Sequence, residues 1–280
     1  MKDSIGIIGQ GFVGTAVREG LKDVFNIETY DKFKDSTNNS VKQLCDKVDI
    51  IFVCLPTPMK RDGTCDLSIV RNTILEIDKC SDKHIAVIKS TVPPGTTSAL
   101  NKECENLQIV FNPEFLTEAN YIDDFKNQSR IIIGGPRPAT TIIKNLYKKA
   151  FYNTPIIKTG SKTAEMVKYF LNCLLATKVS FANEMKDICD NVDIDYDKVV
   201  EYALYDNRIG KTHLSTPGPD GKRGFGGSCF PKDINAMISF AKMLGLDPMV
   251  LSSVWDKNLE VRPEKDWEKL LGRAISEEEE

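Results

Sequence analysis

The sequence predicts an α/β fold in which a doubly wound parallel sheet is followed by an all-helical domain. Up to about residue 158, short β-branched apolar runs bounded by Gly, Pro or Asp alternate with helical stretches. Such runs are typical of buried parallel strands, and their alternation with helices is typical of a doubly wound sheet. From residue 161 to residue 191 the chain contains neither Gly nor Pro, which predicts one long helix opening a second domain.

The individual elements follow from these runs. Strands are predicted at residues 5–8, 27–30, 50–53, 85–88, 109–111 and 131–133. After the long helix, further helices are predicted at about 196–205, 233–244 and 250–261, and the Gly- and Pro-rich stretch 216–227 is predicted to be an irregular loop. The 280 residues therefore divide into a predicted α/β domain (1–158), a helical domain (159–262) and a C-terminal tail (263–280), in which residues 277–280 are expected to be frayed and solvated.

Composition excludes several function classes. The chain has 37 basic and 40 acidic residues, a net charge of -3, so no positive field attracts nucleic acid or anionic lipid. No apolar run approaches the roughly 20 residues of a membrane span, and the first strand begins too early for a signal peptide. Eight cysteines without metal-ligand spacing predict reduced thiols, no metal site and a cytoplasmic location.

A glycine motif, Gly9-Gln10-Gly11-Phe12-Val13-Gly14, directly follows the first predicted strand and opens a helix. The first Gly makes a tight turn, the second admits a pyrophosphate to the backbone, and the third lets helix and strand pack closely. Asp31 ends the next strand, where its carboxylate accepts hydrogen bonds from ribose hydroxyls and repels a 2′-phosphate. This Rossmann-type pattern predicts that the first domain binds NAD. It also predicts a preference for NAD over NADP, although the positive charges of Lys32 and Lys34 weaken that second inference.

Two threonines follow later predicted strands. Thr57, within Pro56-Thr57-Pro58, and Thr91 lie in loops at the carboxyl edge of the sheet, where ligands of such sheets bind. We expect both to line the cofactor. The alternative interpretation is that each is a loop cap, the commoner role of an isolated threonine.

Cys229 stands between a pair of glycines and Pro231, a residue suited to the first turn of a helix. A thiol near a helix N-terminus has a lowered pKa, and the adjacent positive charge of Lys232 lowers it further. Because the thiolate is the reactive form, Cys229 is the predicted nucleophile, and the other seven cysteines are expected to be small core residues.

Two further sets of polar residues have the pattern of a catalytic site. Lys168 and Asn172 are four residues apart and hence lie on one face of the long predicted helix, with Glu165 on the same stripe. A Lys-Asn pair facing a nicotinamide supplies a proton acceptor and an oxyanion donor, although a solvated helix face gives the same spacing. Glu114 and Glu118 follow the fifth predicted strand, where they either enter the crevice or form surface charge.

Taken together, these motifs resemble the UDP-glucose/GDP-mannose dehydrogenase family. The matching segments occur in the same order, at residues 9–14, 56–58, 89–93, 112–118, 165–172 and 224–233. They cover nearly the whole chain to about residue 260, and the cysteine segment is highly specific. The resemblance implies NAD-dependent oxidation of the primary alcohol of a nucleotide sugar, through the aldehyde to the carboxylate, in two hydride transfers.

The resemblance also implies roles for residues at matching positions. Cys229 would attack the aldehyde, giving a thiohemiacetal that is oxidised to a thioester. Lys168 and Asn172 would contact the substrate and stabilise the oxyanion, and Lys232 would contact the cofactor. A covalent thioester retains the intermediate between two oxidations, which agrees with this assignment.

The resemblance implies that the remaining site residues would hold the hydrolytic water or the substrate. The water that hydrolyses the thioester would be held or activated by Thr91, Glu114 and Asp233. Glu118 would support that network and the substrate, and Arg208 would lie on the substrate side. The Gly-rich loop before the cysteine, including Gly226, would cover the sugar.

Three features bear on the substrate and the assembly. Family members continue into a further domain that holds the nucleotide, so the sequence predicts a short form without it. Residues 216–223 lengthen the loop ahead of Gly224, and Thr117 stands where the family often has arginine. The long helix carries more apolar residues than one face of a small domain needs, which predicts a homodimer.

Two other functions remain open at this stage. A single-step 3-hydroxyacid dehydrogenase of the related superfamily shares the dinucleotide-binding domain, the helical domain and the Lys-xxx-Asn pair, but has no need of Cys229. A catalytically silent paralogue that binds NAD and partners a longer dehydrogenase is the second alternative. The joint presence of the nucleophile and its polar neighbours favours the active enzyme.

Overall fold

A computed structural model describes residues 3–80 and 84–277 of the chain. They form two compact units: one comprises the described residues up to Thr57 together with Leu67–Lys168, and the other comprises Pro58–Asp66 and the residues from Tyr169 onward. The change of unit at Lys168 lies inside the long helix, ten residues beyond the predicted domain boundary, because the first turns of that helix pack on the sheet. Ala164, in these turns, is fully buried in the core of the first unit.

The first unit is built on a seven-stranded sheet. In chain order the strands are β1 (Ser4–Ile8), β2 (Asn26–Tyr30), β3 (Ile50–Val53), β4 (Ile85–Ile88), β5 (Gln108–Phe111), β6 (Ile131–Gly134) and β7 (Ile156–Thr159). Their spatial order is β2-β1-β3-β4-β5-β6-β7. The order reverses between β1 and β3, which is the point at which doubly wound sheets bind their ligands.

Helices cover both faces of this sheet. They are α1 (Phe12–Leu21), α2 (Val41–Cys45), α3 (Ser68–Asp78), α4 (Thr96–Glu103), α5 (Tyr121–Lys126) and α6 (Ala139–Ala150). Buried residues of α2, α3 and α4 form one apolar core with the sheet. Buried residues of α1, α5 and α6 form the other core. Two separate cores on one central sheet explain why the strands are apolar along nearly their whole length.

The sequence prediction of a doubly wound sheet followed by helices is confirmed, with two corrections. The strand β7 was not predicted, because Lys158 interrupts a run of only four residues. The expectation that all strands are parallel is wrong for one pair, since β6 runs antiparallel to β5, with Phe111 opposite Gly134. The apolar pattern of a buried strand is the same in both directions, so the sequence does not encode its orientation.

The second unit is helical. It contains α7 (Ser161–Asn191) from Tyr169 onward, α8 (Tyr196–Ala203), α9 (Phe230–Met243), α10 (Met249–Val261) and a 3₁₀ turn at Asp266–Lys269. All four predicted helices are present. Trp267 in the 3₁₀ turn is buried against Met59 and Ala274, within the stretch that the sequence assigned to a tail. Glu278 to Glu280 of that predicted tail lie outside the described residues. No helix within residues 3–80 and 84–277 has the length and apolar character needed to cross a membrane.

A buried carboxylate holds the start of α4. Glu165 is fully buried, and its two carboxylate oxygens accept hydrogen bonds from the backbone N–H groups of Gly95 (2.6 Å) and Thr97 (2.8 Å). Gly95 has a φ of 106°, a left-handed conformation that suits glycine. The first N–H groups of a helix lack partners within the helix, so Glu165 serves α4 as an N-terminal cap from a distant part of the chain.

We expect Glu165→Ala to lower the free energy of unfolding by about 3 kcal/mol, because two buried N–H groups lose their acceptor. Thermal unfolding followed by circular dichroism measures the effect. Glu184→Ala is the matched control, since Glu184 is an exposed glutamate of the same helix. Equal melting temperatures for the two variants would contradict the capping role.

Candidate active site

The glycine motif forms a tight turn between β1 and α1. Gly9 has a φ of 90°, and a Cβ atom on Gly14 would lie 1.8 Å from the Gly9 carbonyl oxygen, so both positions require glycine. A Cβ on Gly11 would meet nothing within 4 Å, so the surface there is open to a ligand. The helix then begins at Phe12, with Val13 in its first turn, and no side chain caps its N-terminus. This open cradle fits the pyrophosphate of NAD.

Asp31 lies beside this turn. Its carboxylate accepts hydrogen bonds from the backbone N–H groups of Gln10 (2.6 Å), Phe33 (2.9 Å) and Lys34 (3.1 Å). The Lys34 ammonium group in turn donates to the Gln10 carbonyl oxygen at 2.7 Å. A carboxylate has about four acceptor positions, so Asp31 can still accept a hydrogen bond from a ribose hydroxyl.

The two predicted cofactor threonines are brought together. The Thr57 hydroxyl donates a hydrogen bond to the Thr91 carbonyl oxygen at 2.8 Å, and both side chains are buried. Beside them, the Ser90 hydroxyl donates to the Leu55 carbonyl oxygen at 2.6 Å. The loops after β3 and β4 are therefore fixed to each other, and Thr57 holds the backbone of Thr91.

A buried ion pair joins the loop after β5 to α7. The Lys168 ammonium donates to the Glu114 carboxylate at 2.9 Å, and their side chains are only 4% and 9% exposed. The other Glu114 oxygen accepts from the backbone N–H of Leu116 at 2.7 Å. Burial raises the pKa of Glu114, but the charge and hydrogen bond of Lys168, together with the Leu116 N–H and the charge of Lys89, outweigh burial and lower the pKa overall. A charged, paired carboxylate is thereby held at the carboxyl edge of the sheet.

Sequence reasoning missed a second buried cation near this pair. Burial lowers the pKa of Lys89 to about 8, and the charges of Cys54 and Glu114 oppose that shift. Its ammonium group donates to the side-chain oxygen of Asn112 at 2.9 Å, which also accepts from the Tyr147 hydroxyl at 2.5 Å. The available signal was a lysine directly after the apolar strand β4, a position at which burial is expected.

The second unit contains its own charged cluster, around Asp233. This carboxylate is 1% exposed and accepts a hydrogen bond from the Asn172 side-chain amide at 2.5 Å. It also forms an ion pair with Lys232. Burial lowers the pKa of Lys232, but the negative charges of Asp233, Cys229 and Cys65 outweigh burial and raise the pKa overall. Lys232 therefore stays positively charged across the neutral pH range.

Cys229 occupies the N-cap position of α9, directly before Phe230, and Pro231 is in the first turn. Its carbonyl oxygen accepts from the Asp233 N–H at 3.0 Å, and its sulfur lies 3.9 Å from the Ser228 hydroxyl. All eight cysteines are free thiols, and Cys229 is half-buried. The predicted position at a helix N-terminus is therefore observed, and the nucleophilic role itself remains a proposal.

The other predicted site residues lie at different places in the two units. Gly226 is in the loop before Cys229, where an added Cβ would lie 2.5 Å from the side-chain ends of Arg262 and Asp266 and would force them to shift. Arg208 forms an exposed ion pair with Asp206 after α8. Glu118 is exposed in the turn before α5. Within the described parts of the chain, no three His, Cys, Asp or Glu side chains are grouped to hold a metal ion.

Comparison with known proteins gives consistent matches. The model of the NAD binding domain of the UDP-glucose/GDP-mannose dehydrogenase family matches residues 17–151, and the model of that family's central domain matches residues 162–260. UDP-glucose 6-dehydrogenase TuaD of Bacillus subtilis is 35% identical over 248 residues, which are 85% of this chain and 52% of TuaD. UDP-glucose 6-dehydrogenase AglM of Haloferax volcanii is 32% identical over 302 residues, covering 91% of this chain and 69% of AglM.

A solved structure agrees with these matches. The UDP-glucose dehydrogenase of Pyrobaculum islandicum superposes with a TM-score of 0.85 at 29% identity, over 96% of this chain and 71% of that protein. The chain spans about half the length of several of its curated relatives, including TuaD.

The depressed pKa of Lys89 predicts a specific pH dependence. Between about pH 8 and 10.5 the unfolded chain keeps a proton on this lysine that the folded chain has lost, so the free energy of unfolding rises with pH. Relative to Lys89→Met, which lacks this proton, the wild-type protein should gain about 3 kcal/mol across that range. Urea unfolding at several pH values measures the difference.

Lys102→Met is the control for this prediction, since Lys102 is an exposed lysine of α4. Its difference from the wild-type protein should not change over the same pH range. A constant difference for Lys89→Met as well would contradict the buried, weakly basic state of Lys89.

Proposed function

Since the chain belongs to the UDP-glucose/GDP-mannose dehydrogenase family, we propose that it oxidises the primary alcohol of a nucleotide sugar of the UDP-glucose type to the uronic acid, with NAD as oxidant. The single observation that carries this proposal is the position of Cys229 at the N-terminus of α9, one turn from Asp233 and Lys232. A simple alcohol dehydrogenase has no use for a nucleophile placed in this way.

The reaction consists of two oxidations and a hydrolysis. When bound in the turn after β1, NAD would supply the hydride acceptor for each oxidation, so one sugar would yield two NADH. After the alcohol has become an aldehyde, the Cys229 sulfur adds to the carbonyl carbon and gives a thiohemiacetal. Loss of the second hydride leaves a thioester, and water then cleaves its C–S bond, releasing the carboxylate and restoring the thiol. The helix N-terminus and the positive charge of Lys232 favour the thiolate that begins this sequence.

The remaining side chains serve these steps. We propose that Asn172 and Lys168 stabilise the oxyanion of the tetrahedral intermediates, because amide and ammonium groups donate hydrogen bonds. Asp233 and Glu114, with Thr91, hold the hydrolytic water. The paired state of both carboxylates, Asp233 with Lys232 and Glu114 with Lys168, suits them to orienting water. Glu118, Gly226 and Arg208 are assigned to the substrate side.

The dinucleotide is held by the turn after β1. We propose that the N–H groups at the start of α1, around Phe12 and Val13, bind the pyrophosphate and that Asp31 binds the adenosine ribose. Thr57 and Thr91 line the nicotinamide side, and Lys232 contacts the cofactor. We place the enzyme in the cytoplasm, where NAD is available and its free thiols stay reduced.

Cys229→Ser tests the thioester. A serine hydroxyl stays protonated at neutral pH, so the variant should release aldehyde or accumulate an ester adduct and lose at least 100-fold in turnover. The measurement is NADH released per sugar from a panel of UDP- and GDP-hexoses, with mass spectrometry of the protein. Cys189→Ser, at a buried cysteine of α7, is the control and should behave as wild type.

The same count separates the alternatives. Two NADH per sugar support the thioester route, one indicates a single-step dehydrogenase of the 3-hydroxyacid type, and none indicates a catalytically silent protein. Wild-type turnover in Cys229→Ser would remove the cysteine from the mechanism.

We further propose that the protein is a homodimer built on α7. One stripe of this helix leaves four apolar side chains between 46% and 64% exposed: Phe170, Leu174, Phe181 and Ile188. Contiguous exposed apolar surface of this kind marks an interaction site, and an obligate dimer buries roughly 2,000 Å² or more. A dimer mass is expected in light scattering at micromolar concentration, and Phe170→Asp with Phe181→Asp should shift it to the monomer. A monomeric mass for the wild-type chain would refute the dimer.

A further inference from the structure

Gln10 is a buried polar residue in the middle of the glycine motif, and the proposed reaction makes no use of it. It lies between Gly9 and Gly11 and is only 6% exposed. Burying a glutamine amide is costly unless hydrogen bonds replace those to water. The partners of Gln10 lie on α1 and in residues 31–36, the segment directly after β2, which we name the β2 loop.

Both backbone polar groups of Gln10 are bonded to the β2 loop. The N–H donates to Oδ2 of Asp31 at 2.6 Å, and the carbonyl oxygen accepts from the Lys34 ammonium group at 2.7 Å. Asp31 and Lys34 are also joined to each other, since Oδ1 of Asp31 accepts from the Lys34 backbone N–H at 3.1 Å. The first part of the β2 loop is therefore held against the glycine turn.

The side-chain amide of Gln10 binds the other end of the same loop. Its nitrogen donates to the Asp35 carbonyl oxygen at 2.7 Å and to the Ser36 hydroxyl oxygen at 3.1 Å. Its oxygen accepts from the Arg18 guanidinium of α1 at 2.9 Å. An amide nitrogen carries two hydrogens, so both are used. One side chain thus joins the end of the β2 loop to the helix that begins at the glycine turn.

These bonds decide which oxygen of Asp31 can accept a further hydrogen bond. Oδ1 accepts from the backbone N–H groups of Phe33 and Lys34, and Oδ2 accepts from that of Gln10. A carboxylate has about four acceptor positions, two on each oxygen. Within the part of the chain that the structure describes, the position that remains is on Oδ2. Gln10 therefore binds the same oxygen that a ribose hydroxyl would use.

This arrangement bears on NAD because the dinucleotide contacts both elements that Gln10 joins. The proposed pyrophosphate cradle is the start of α1, and the proposed partner of the adenosine ribose is Asp31. A ligand that is held at two points binds more tightly when both points are already in place, since no loop has to be ordered on binding. Without the amide of Gln10, the cofactor itself would have to order the β2 loop.

We propose that Gln10 is a positioning residue for the adenosine half of NAD. Its side chain fixes the β2 loop to α1, so the remaining acceptor position of Asp31 stays at a constant distance from the glycine turn. The inference rests on one part of the proposed function, the binding of the adenosine ribose by Asp31, and not on the sugar reaction. It also makes Gln10 a determinant of cofactor preference, because Gln10 holds the carboxylate that favours a free 2′-hydroxyl over a 2′-phosphate.

Calorimetry on the full chain, without sugar, measures the binding of NAD and NADP. Gln10→Met keeps the length of the side chain but loses the amide, so we expect the Kd for NAD to rise about 10-fold, as the loss of a buried hydrogen bond does. The Kd for NADP should change by less than about 3-fold, because Asp31 already repels the phosphate of NADP. The preference for NAD should narrow accordingly.

Gln128→Met is the matched control for this measurement. Gln128 is a half-buried glutamine of the same unit, and its amide also donates to a backbone carbonyl oxygen, that of Phe125, at 3.0 Å. Both Kd values of this variant should equal those of the wild-type chain.

A double variant separates positioning from general support of the fold. Asp31→Asn keeps the size of the side chain and removes the carboxylate. If Gln10 acts through Asp31, adding Gln10→Met to Asp31→Asn should weaken NAD binding by less than about 2-fold, because the acceptor that Gln10 positions is already gone. An equal loss in the wild-type and Asp31→Asn backgrounds would overturn the inference.

Hydrogen exchange of the cofactor-free protein tests the contact of Gln10 with the loop directly. In Gln10→Met, the peptide spanning residues 31–36 should exchange about 10-fold faster than in the wild-type chain, because a loosened loop opens more often. Peptides from β4 and β5 should exchange at the wild-type rate, which establishes that the variant is folded. Unchanged exchange in the β2 loop would contradict the proposed role.

The outcomes separate this inference from the proposed function. If Asp31→Asn weakens NAD binding but Gln10→Met behaves as Gln128→Met does, the inference is overturned and the assignment of Asp31 stands. If Asp31→Asn leaves NAD binding unchanged, the assignment of Asp31 and the inference both fail. A protein that shows the expected binding pattern but no dehydrogenase activity would support the inference and reject the proposed reaction.

Discussion

The buried ion pair between Glu114 and Lys168 is the interaction that joins the loop after β5 to the start of α7 and so holds the carboxyl edge of the sheet in the first unit. Removing two charges from water costs several kcal/mol for each ion, so such a pair persists only when geometry and further hydrogen bonds compensate. Here the Leu116 N–H provides one of these bonds. Glu165, three residues before Lys168, binds the start of α4 with its carboxylate. Two adjacent turns of α7 are thus fixed at the carboxyl edge of the sheet.

Much of the fold could be predicted, because burial on both faces gives parallel strands an unmistakable apolar character. What could not be predicted depends on contacts between distant residues. The orientation of β6 and the existence of β7 are decided by pairing, which the local pattern does not record. The packing of Trp267 against Met59 depends likewise on residues about 200 positions apart. Residues 263–269 are mostly charged and include a proline, so their composition is typical of a tail. The burial of Trp267 within them follows from its distant contacts and could not be predicted.

In the candidate site, too, features set by neighbouring residues could be predicted, and contacts between distant residues could not. Gly9 and Gly14 were predictable because steric exclusion acts within a few residues, and the structure leaves no room for a Cβ on Gly14. Cys229 was predictable because a proline marks the start of the helix that follows it. The partners of these residues could not be predicted, because they lie at distant positions in the chain. Lys89 could have been predicted to be buried, because it directly follows the apolar strand β4, but its polar side chain concealed this.

The two charged clusters are built in the same way, and this arrangement has a chemical consequence. In each, a buried carboxylate is paired with a lysine, Glu114 with Lys168 and Asp233 with Lys232, so the resting net charge of each pair is zero. A neutral resting state avoids the cost of an isolated buried charge. Ionising Cys229 then adds one negative charge to the second cluster, beside the ammonium group of Lys232, with which it interacts. The N-terminal dipole of α9 also stabilises this charge, because the dipole acts over the first turn of a helix and Cys229 is the N-cap residue. A neutral pair at rest thus leaves the second cluster able to accept one negative charge without accumulating two uncompensated ones.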